Sequence, residues 1–230
     1  MIPIRNATPY RRRPWVTWCF ILINAGVFFY ELSLSPGALK EFFNVFGLVP
    51  AHLFSATVRS FQGISNLLIV PLLSSVFIHG DFFHIFFNLW TLYLFGPNIE
   101  DRLGHSQFAS LFLLSGIASG IIHSFVHPQS TIPTVGASGA IAGVLGAYFV
   151  LLPLSRITVL FPVFIIPFFF DVPAFLYLFI WFFSQLHQGA WSLINAAPEY
   201  GGVAFWAHIG GFLTGIYLLS LLHPPAHKSD

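Results

Sequence analysis

Charge is nearly missing from this chain. Of 230 residues only 9 are Lys or Arg and 8 are Asp or Glu, 7% in all, against about 25% in ordinary soluble domains. A water-facing surface cannot be built from so few charges, which excludes a soluble globular fold. The net charge of +1 leaves no basic footprint for a nucleic-acid partner. Cysteine is limited to Cys19, so an intrachain disulfide and a cysteine-based metal cluster are both excluded. An HExxH zinc motif, internal repeats and low-complexity linkers are absent too. Acidic residues avoid the middle of the apolar runs: Glu31 stands at the end of the first, and Asp171 before another.

What is present is apolar. Hydrophobic residues make up 56%, mean hydropathy is +0.80, and there are 29 Phe and 6 Trp, side chains suited to lipid-facing and interfacial positions. The reading is an all-α, polytopic membrane protein of one domain with six transmembrane helices. Residues 1–13 form a short polar segment, 14–223 the six-helix domain, and 224–230 a tail. A signal peptide would also begin basic and then apolar. The run from Trp15 to about Leu34 is longer than a usual signal core and lacks a small-x-small cleavage site, so a retained first helix is expected.

Residues 35–64 read as a loosely amphipathic connection lying in the membrane interface, and 67–78, interrupted by Pro71, as a lead-in. The second helix is expected over His84–Phe95, capped by Asp81 and stopped by Gly96, Pro97 and Asn98. Glu100, Asp101 and Arg102 then read as a cytoplasmic turn and cap. The third helix covers roughly Phe108–Val126 and the fourth runs from Ser138 to about Leu152. Residues 157–170 hold Pro162 and Pro167 and are short for a span, so they read as interfacial or re-entrant. Ala174–Leu186 forms the fifth helix, 187–201 a loop, and about Val203–Leu222 the sixth helix. An N-terminus in the cytoplasm puts Arg11, Arg12, Arg13, Arg102, Arg156 and Lys228 inside, with Lys40 and Arg59 outside, as the positive-inside rule prefers. The expected location is the plasma membrane of a prokaryote. Helices two, four and six then all enter from the outer side.

Within that frame one stretch carries chemistry: Val135-Gly136-Ala137-Ser138-Gly139-Ala140-Ile141-Ala142-Gly143. It sets one hydroxyl among tiny residues at a helix start. Free backbone N–H groups and the positive helix end lie beside it. Those are the needs of a nucleophile with an oxyanion pocket. Taken alone, the stretch reads first as a small-xxx-small packing seam, Gly139 to Gly143.

His208 shifts the balance. It begins His208-Ile209-Gly210-Gly211, and Gly211 and Gly215 share its helix face. Gly139, Gly143 and Gly146 form a matching stripe on the fourth helix. Pressing the two stripes together brings Ser138 toward His208, where a neutral imidazole can accept the hydroxyl proton. The alternative for His208 is a bond to a backbone carbonyl. His84 and Asn88 are i, i+4 on the second helix and can donate to a developing oxyanion beside the Ser138 N–H. They would serve equally as interhelical hydrogen-bond glue. With no acidic partner near, a Ser138–His208 dyad is expected rather than a triad. Packing or an aromatic ring then has to orient the imidazole. His123 and His127 lack further ligands for a metal, and His79 reads as a hydrogen-bonded turn residue. No metal and no cofactor is required.

These residues resemble the rhomboid family of intramembrane serine proteases. The resemblance rests on Gly136-Ala137-Ser138-Gly139, on Ala207-His208-Ile209-Gly210-Gly211 with Gly215, and on His84-x-x-x-Asn88. Phe77-Ile78-His79-Gly80 and Phe95-Gly96-Pro97-Asn98-Ile99-Glu100-Asp101 add to it. It implies a six-helix fold with a water-filled site open to the outer side, and single-span membrane proteins as substrates. It also implies Ser138 as nucleophile, His208 as general base, and His84 and Asn88 on the oxyanion side. The fifth helix and the 187–201 loop match the region thought to cover and gate the site. Two departures stand out. No Trp-Arg pair occurs in 35–64, and Ala142 stands where some members carry a Tyr that stacks on the histidine. Rival readings are a non-proteolytic relative that binds transmembrane helices, and a transporter or channel. The clustering of polar groups at one end of three helices speaks against the latter.

Overall fold

The computed structural model describes residues 1–54, 64–163, 166–194 and 204–222. Helices dominate. They are α1 (Trp15–Ser33), α2 (Pro36–Phe46), α3 (Pro50–Phe54), α4 (Ile64–Ser74), α5 (Phe82–Leu103), α6 (His105–Val126), α7 (Ser138–Leu151), α8 (Ala174–Ile194) and α9 (Phe205–Leu222). Among the described residues α1, α6 and α9 are each long and apolar enough to cross a membrane. A 3-10 turn, Ser75–Phe77, follows α4, and Ile69–Phe77 meets α5 at an 86° bend, a fourth span when the bent pair is counted as one. Phe29, Leu22, Phe183 and Tyr217 are all more than half exposed. Such a belt of bare apolar surface is what a multi-pass membrane protein presents to lipid.

The core is built around α7. Ala140, Ala142, Val144, Ala147 and Tyr148 are fully enclosed, and α6 and α9 flank them. A Cβ added to Gly211 would strike the Gly139 carbonyl, one on Gly215 the Gly143 carbonyl, and one on Gly146 the Phe212 carbonyl. The two glycine stripes therefore meet backbone to backbone, as their spacing predicts. On its other side α7 is as tight: a Cβ on Gly139 or Gly143 would strike Ser119 or Ser115 of α6.

The second helix differs from its expected bounds. Asp81 caps it, accepting from the His84 N–H at 2.9 Å, but Gly96-Pro97-Asn98 does not end it. The helix runs on to Leu103, where Gly104 at φ 85° breaks the chain. A proline ring displaces the carbonyls of the preceding turn. Here the Asn6 side-chain amide donates to the Leu94 carbonyl at 3.0 Å and to Asn98 Oδ1 at 2.7 Å, so the disturbed turn finds a donor from elsewhere. Glu100 is likewise part of the helix and not of a turn, although it does cap. Its fully buried carboxylate accepts from the Val16 and Thr17 N–H groups and the Thr17 hydroxyl at 2.6–2.9 Å, closing the open N-terminus of α1. Asp101 accepts from the Arg11 and Arg12 N–H groups.

An all-α fold is corrected as well. Residues expected to be interfacial form two antiparallel strands, β2 (Arg156–Val163) and β3 (Ile166–Pro173). The polar N-terminal segment supplies a third, β1 (Ile2–Asn6), in the order β1-β2-β3. Proline is tolerated because Pro162 and Pro167 face each other near the hairpin end. Ile157 and Val159 are fully buried against the bundle. Trp90 donates to the Pro3 carbonyl at 2.7 Å and Tyr148 to Asn6 Oδ1 at 3.0 Å, fastening β1 to α5 and α7. Asp171 lies on β3, accepting from Thr158, three residues before α8 begins. The fifth helix extends past Leu186 to Ile194. The rest of the expected 187–201 loop from 195 on, Val203, Arg59, Lys228 and the 224–230 tail lie outside the described residues.

Replacing Glu100 by alanine strips three donors at the start of α1 of their acceptor. The variant is expected to lose about 1–3 kcal/mol of stability, read as a lowered unfolding midpoint in detergent.

Candidate active site

Three helix beginnings converge at one end of the bundle. Ser138 is the first residue of α7, His208 lies in the first turn of α9, and His84 and Asn88 lie in the first two turns of α5. The opposite end of α5, about 30 Å away at 1.5 Å per residue, holds Glu100, Asp101 and the arginine-rich segment.

His208 Nε2 lies 2.8 Å from Ser138 Oγ. Seventy positions separate them in sequence, and the glycine seam of α7 and α9 brings them together. Gly211 and Gly215 follow His208 on that seam, and Gly139 and Gly143 follow Ser138, each with its backbone against the facing helix. Both side chains are half-buried. Because Ser138 opens the helix, the N–H groups of this first turn lack intrahelical acceptors.

Gly136 enters the turn at φ 121°, a conformation that L side chains rarely adopt. Its N–H donates to the Ser75 carbonyl at 2.8 Å, tying the turn to the 3-10 segment. A Cβ here would lie 2.5 Å from His84 Nε2 and 3.7 Å from Asn88 Nδ2. The imidazole and the amide of α5 therefore lie over the backbone two residues before Ser138. Asn88 is buried, and its Nδ2 lies 3.0 Å from His79 Nε2. That leaves the second amide hydrogen uncommitted to His79. His79 is a buried member of this cluster, its ring edge-on to His84 with centroids 5.0 Å apart. Its backbone N–H donates to Glu31 Oε1 at 3.2 Å. The reading of His79 as hydrogen-bonded holds, with a site residue as its partner.

Two residues on α8 were missed from sequence. Gln185 Oε1 lies 2.8 Å from His208 Nδ1, so both ring nitrogens of His208 have side-chain partners. The Trp181 ring lies 6.0 Å from the imidazole, tilted by 31°. This is the aromatic neighbour expected for His208, supplied by another helix than the one carrying Ala142. Trp206 turns away, donating to the Gly189 carbonyl at 3.2 Å. The available signal was spacing: Trp181 and Gln185 are i, i+4 and share a helix face. His123 and His127 pack ring to ring at 5.0 Å. Among the described residues no group of three or more His, Cys, Asp or Glu could hold a metal ion.

Chemically the arrangement offers a hydroxyl with a proton acceptor at hydrogen-bond distance. A glycine turn and two nitrogen-bearing side chains lie next to it.

A family model described as the Rhomboid domain matches residues 68–225. "Rhomboid protein 1, mitochondrial" of Saccharomyces cerevisiae is 32% identical over 152 residues, 64% of this chain and 40% of that protein. "Presenilin-associated rhomboid-like protein, mitochondrial" of Rattus norvegicus is 32% identical over 168 residues, covering 69% and 40%. YdcA of Bacillus subtilis, provisionally named a rhomboid protease, is 35% identical over 115 residues, covering 48% and 57%. The chain spans less than half the length of the yeast and rat relatives it matches.

Gly136→Ala forces an L residue into positive φ and pushes a methyl group into His84. The expected cost is about 1–3 kcal/mol from the backbone alone, read as a lowered unfolding midpoint in detergent.

Proposed function

Since the chain belongs to the rhomboid family, we propose that it is an intramembrane serine endopeptidase using a Ser138–His208 dyad. The observation that carries this reading is the 2.8 Å contact between Ser138 Oγ and His208 Nε2. Ser138 Oγ attacks the scissile carbonyl carbon while its proton passes to His208 Nε2. The oxyanion forms beside the α7 N-terminus, where the Ser138 N–H, the free Asn88 amide hydrogen and His84 can donate. His208 then hands the proton to the departing amine, leaving an acyl-enzyme. A water molecule then attacks the acyl carbon, giving up a proton to His208, which passes it to Ser138 Oγ as the ester C–O bond breaks and the acid is released. Only this chain's side chains and water take part, so no cofactor is called for.

In this reading α5, α7 and α8 join α1, α6 and α9 as six crossings. The 14 residues of α7 span about 21 Å, against a hydrocarbon core of about 30 Å. With its C-terminus at the inner interface, α7 ends short of the outer one, so Ser138 lies below the membrane surface. A substrate helix brought there has shielded peptide bonds and has to unwind locally. Single-span membrane proteins with small or helix-breaking residues at the cut are the expected substrates. Sidedness follows from charge: Arg11, Arg12, Arg102 and Arg156 belong to the end opposite Ser138, which faces the cytoplasm or its equivalent. The mitochondrial names of the yeast and rat relatives stand against the expected prokaryotic plasma membrane.

The rival reading is a relative that binds transmembrane helices without cutting them. A fluorophosphonate probe in detergent separates the two. Labelling of the wild type that disappears in Ser138→Ala is expected, and labelling that persists in that variant removes the nucleophile. His208→Ala should lower cleavage of a model transmembrane substrate by about 10³-fold or more. Asn88→Ala should lower kcat by about 10²- to 10³-fold with little change in KM, checked by initial rates against substrate mole fraction.

A further inference from the structure

A histidine that takes a proton at Nε2 has to carry its own hydrogen on Nδ1. The other neutral tautomer would aim an N–H at Ser138 Oγ, and no proton could leave the hydroxyl toward it. Resting on the dyad reading above, we infer that Gln185 is a positioning residue. Through its Oε1 contact with Nδ1 it holds His208 in the tautomer that can deprotonate Ser138.

The direction of the Gln185 amide is set by what stands behind it. Its Nε2 donates to Ser184 Oγ at 3.0 Å and lies 3.5 Å from the Trp181 carbonyl. Ser184 has already given its own hydrogen to that same carbonyl at 2.6 Å. Turning the amide over would press Oε1 against the lone pairs of the Trp181 carbonyl and direct an N–H₂ at His208. The unflipped amide satisfies every group, and it presents a pure acceptor to Nδ1. Gln185 is 7% exposed, so water does not readily replace it. Trp181, one turn earlier on the same face, packs on the imidazole and on Phe212 with centroids 6.0 Å apart, restricting rotation of the ring.

The residue type fits the surroundings. A carboxylate in this position would carry a charge into an apolar helix, whereas an amide supplies the acceptor without one. When Ser138 yields its proton, the imidazole becomes cationic and its Nδ1–H bond to Oε1 becomes charge-assisted and stronger. The contact therefore favours the transition state over the resting state. Because Gln185 and Trp181 both ride on α8, a competent His208 requires α8 to be docked against α9.

The test uses the full chain in detergent with ¹⁵N-labelled histidine, His208 being assigned by its loss in His208→Gln. Long-range ¹H–¹⁵N spectra of the wild type should show His208 protonated at Nδ1, and a signal for the Nε2–H form overturns the inference. In Gln185→Met, close in size but without the acceptor, the tautomer signal should become mixed. There kcat should fall about tenfold with KM unchanged, the loss of one hydrogen bond. A Gln185→Met protein with wild-type kcat and an unaltered spectrum also overturns it. Should Gln185→Met fail to fold, the wild-type Nδ1 proton decides: a downfield, slowly exchanging signal of a bond to Oε1 is expected, and an Nδ1–H that exchanges freely with water overturns the inference. Cleavage that survives Ser138→Ala strikes the proposed function, while the tautomer spectrum still decides Gln185.

Discussion

The close approach of α7 and α9 is the constraint on which the rest depends. Gly139, Gly143 and Gly146 meet Gly211, Phe212 and Gly215 with backbone facing backbone. Lipid tails are as apolar as leucine, so hydrophobic burial supplies little force between helices in a bilayer. What holds them is dispersion, and that grows steeply as the axes come together. The seam does more than bind. It places residue 138 at the start of one helix beside residue 208 near the start of the other, at hydrogen-bond distance. Side chains on this seam would separate the helices by more than that bond could follow.

A second constraint is that polar groups in an apolar medium need partners, and the chain meets it differently at its two ends. At one end a carboxylate (Glu100), two asparagines (Asn6 and Asn98) and a three-stranded sheet tie the N-terminal segment, α1 and α5 into a closed set of bonds. At the other end the bonding is concentrated on imidazoles: His79 with Asn88, and His208 with Ser138 and Gln185. The first end uses its bonds to fix the scaffold. The second keeps a hydroxyl, an amide hydrogen and a helix N-terminus directed into one small volume.

Much of this was legible from residues taken in order. The lack of charge points to a membrane, the run Gly136–Gly143 marks a helix start with a buried hydroxyl, and the 3.6-residue period puts His208, Gly211 and Gly215 on one stripe. Asp81 reads as a cap and is one. Other features resisted, each for a reason. Gly96-Pro97-Asn98 looks like a stop, because a helix-breaking sequence carries no sign of Asn6 arriving from 88 residues away to serve the disturbed turn. Residues 157–170 look interfacial because two prolines interrupt them, and nothing nearby announces β1 arriving from the far N-terminus to complete the sheet. Gln185 looks like a residue near a helix end, because only the docking of α8 against α9 turns it toward an imidazole.

Local pattern by itself determined the class of protein, the course of most helices, and which hydroxyl and which imidazole are paired. Hydropathy, periodicity and glycine spacing are short-range properties that a linear chain displays openly. Tertiary structure alone decided which side chain stands behind His208, which buries against Asn88, and that the chain's two halves share a sheet. Each of those is a meeting of groups far apart in sequence. Contacts such as Gln185 with His208 are specified by the packing of whole helices, and the spacing near either partner shows a shared face without showing what that face meets.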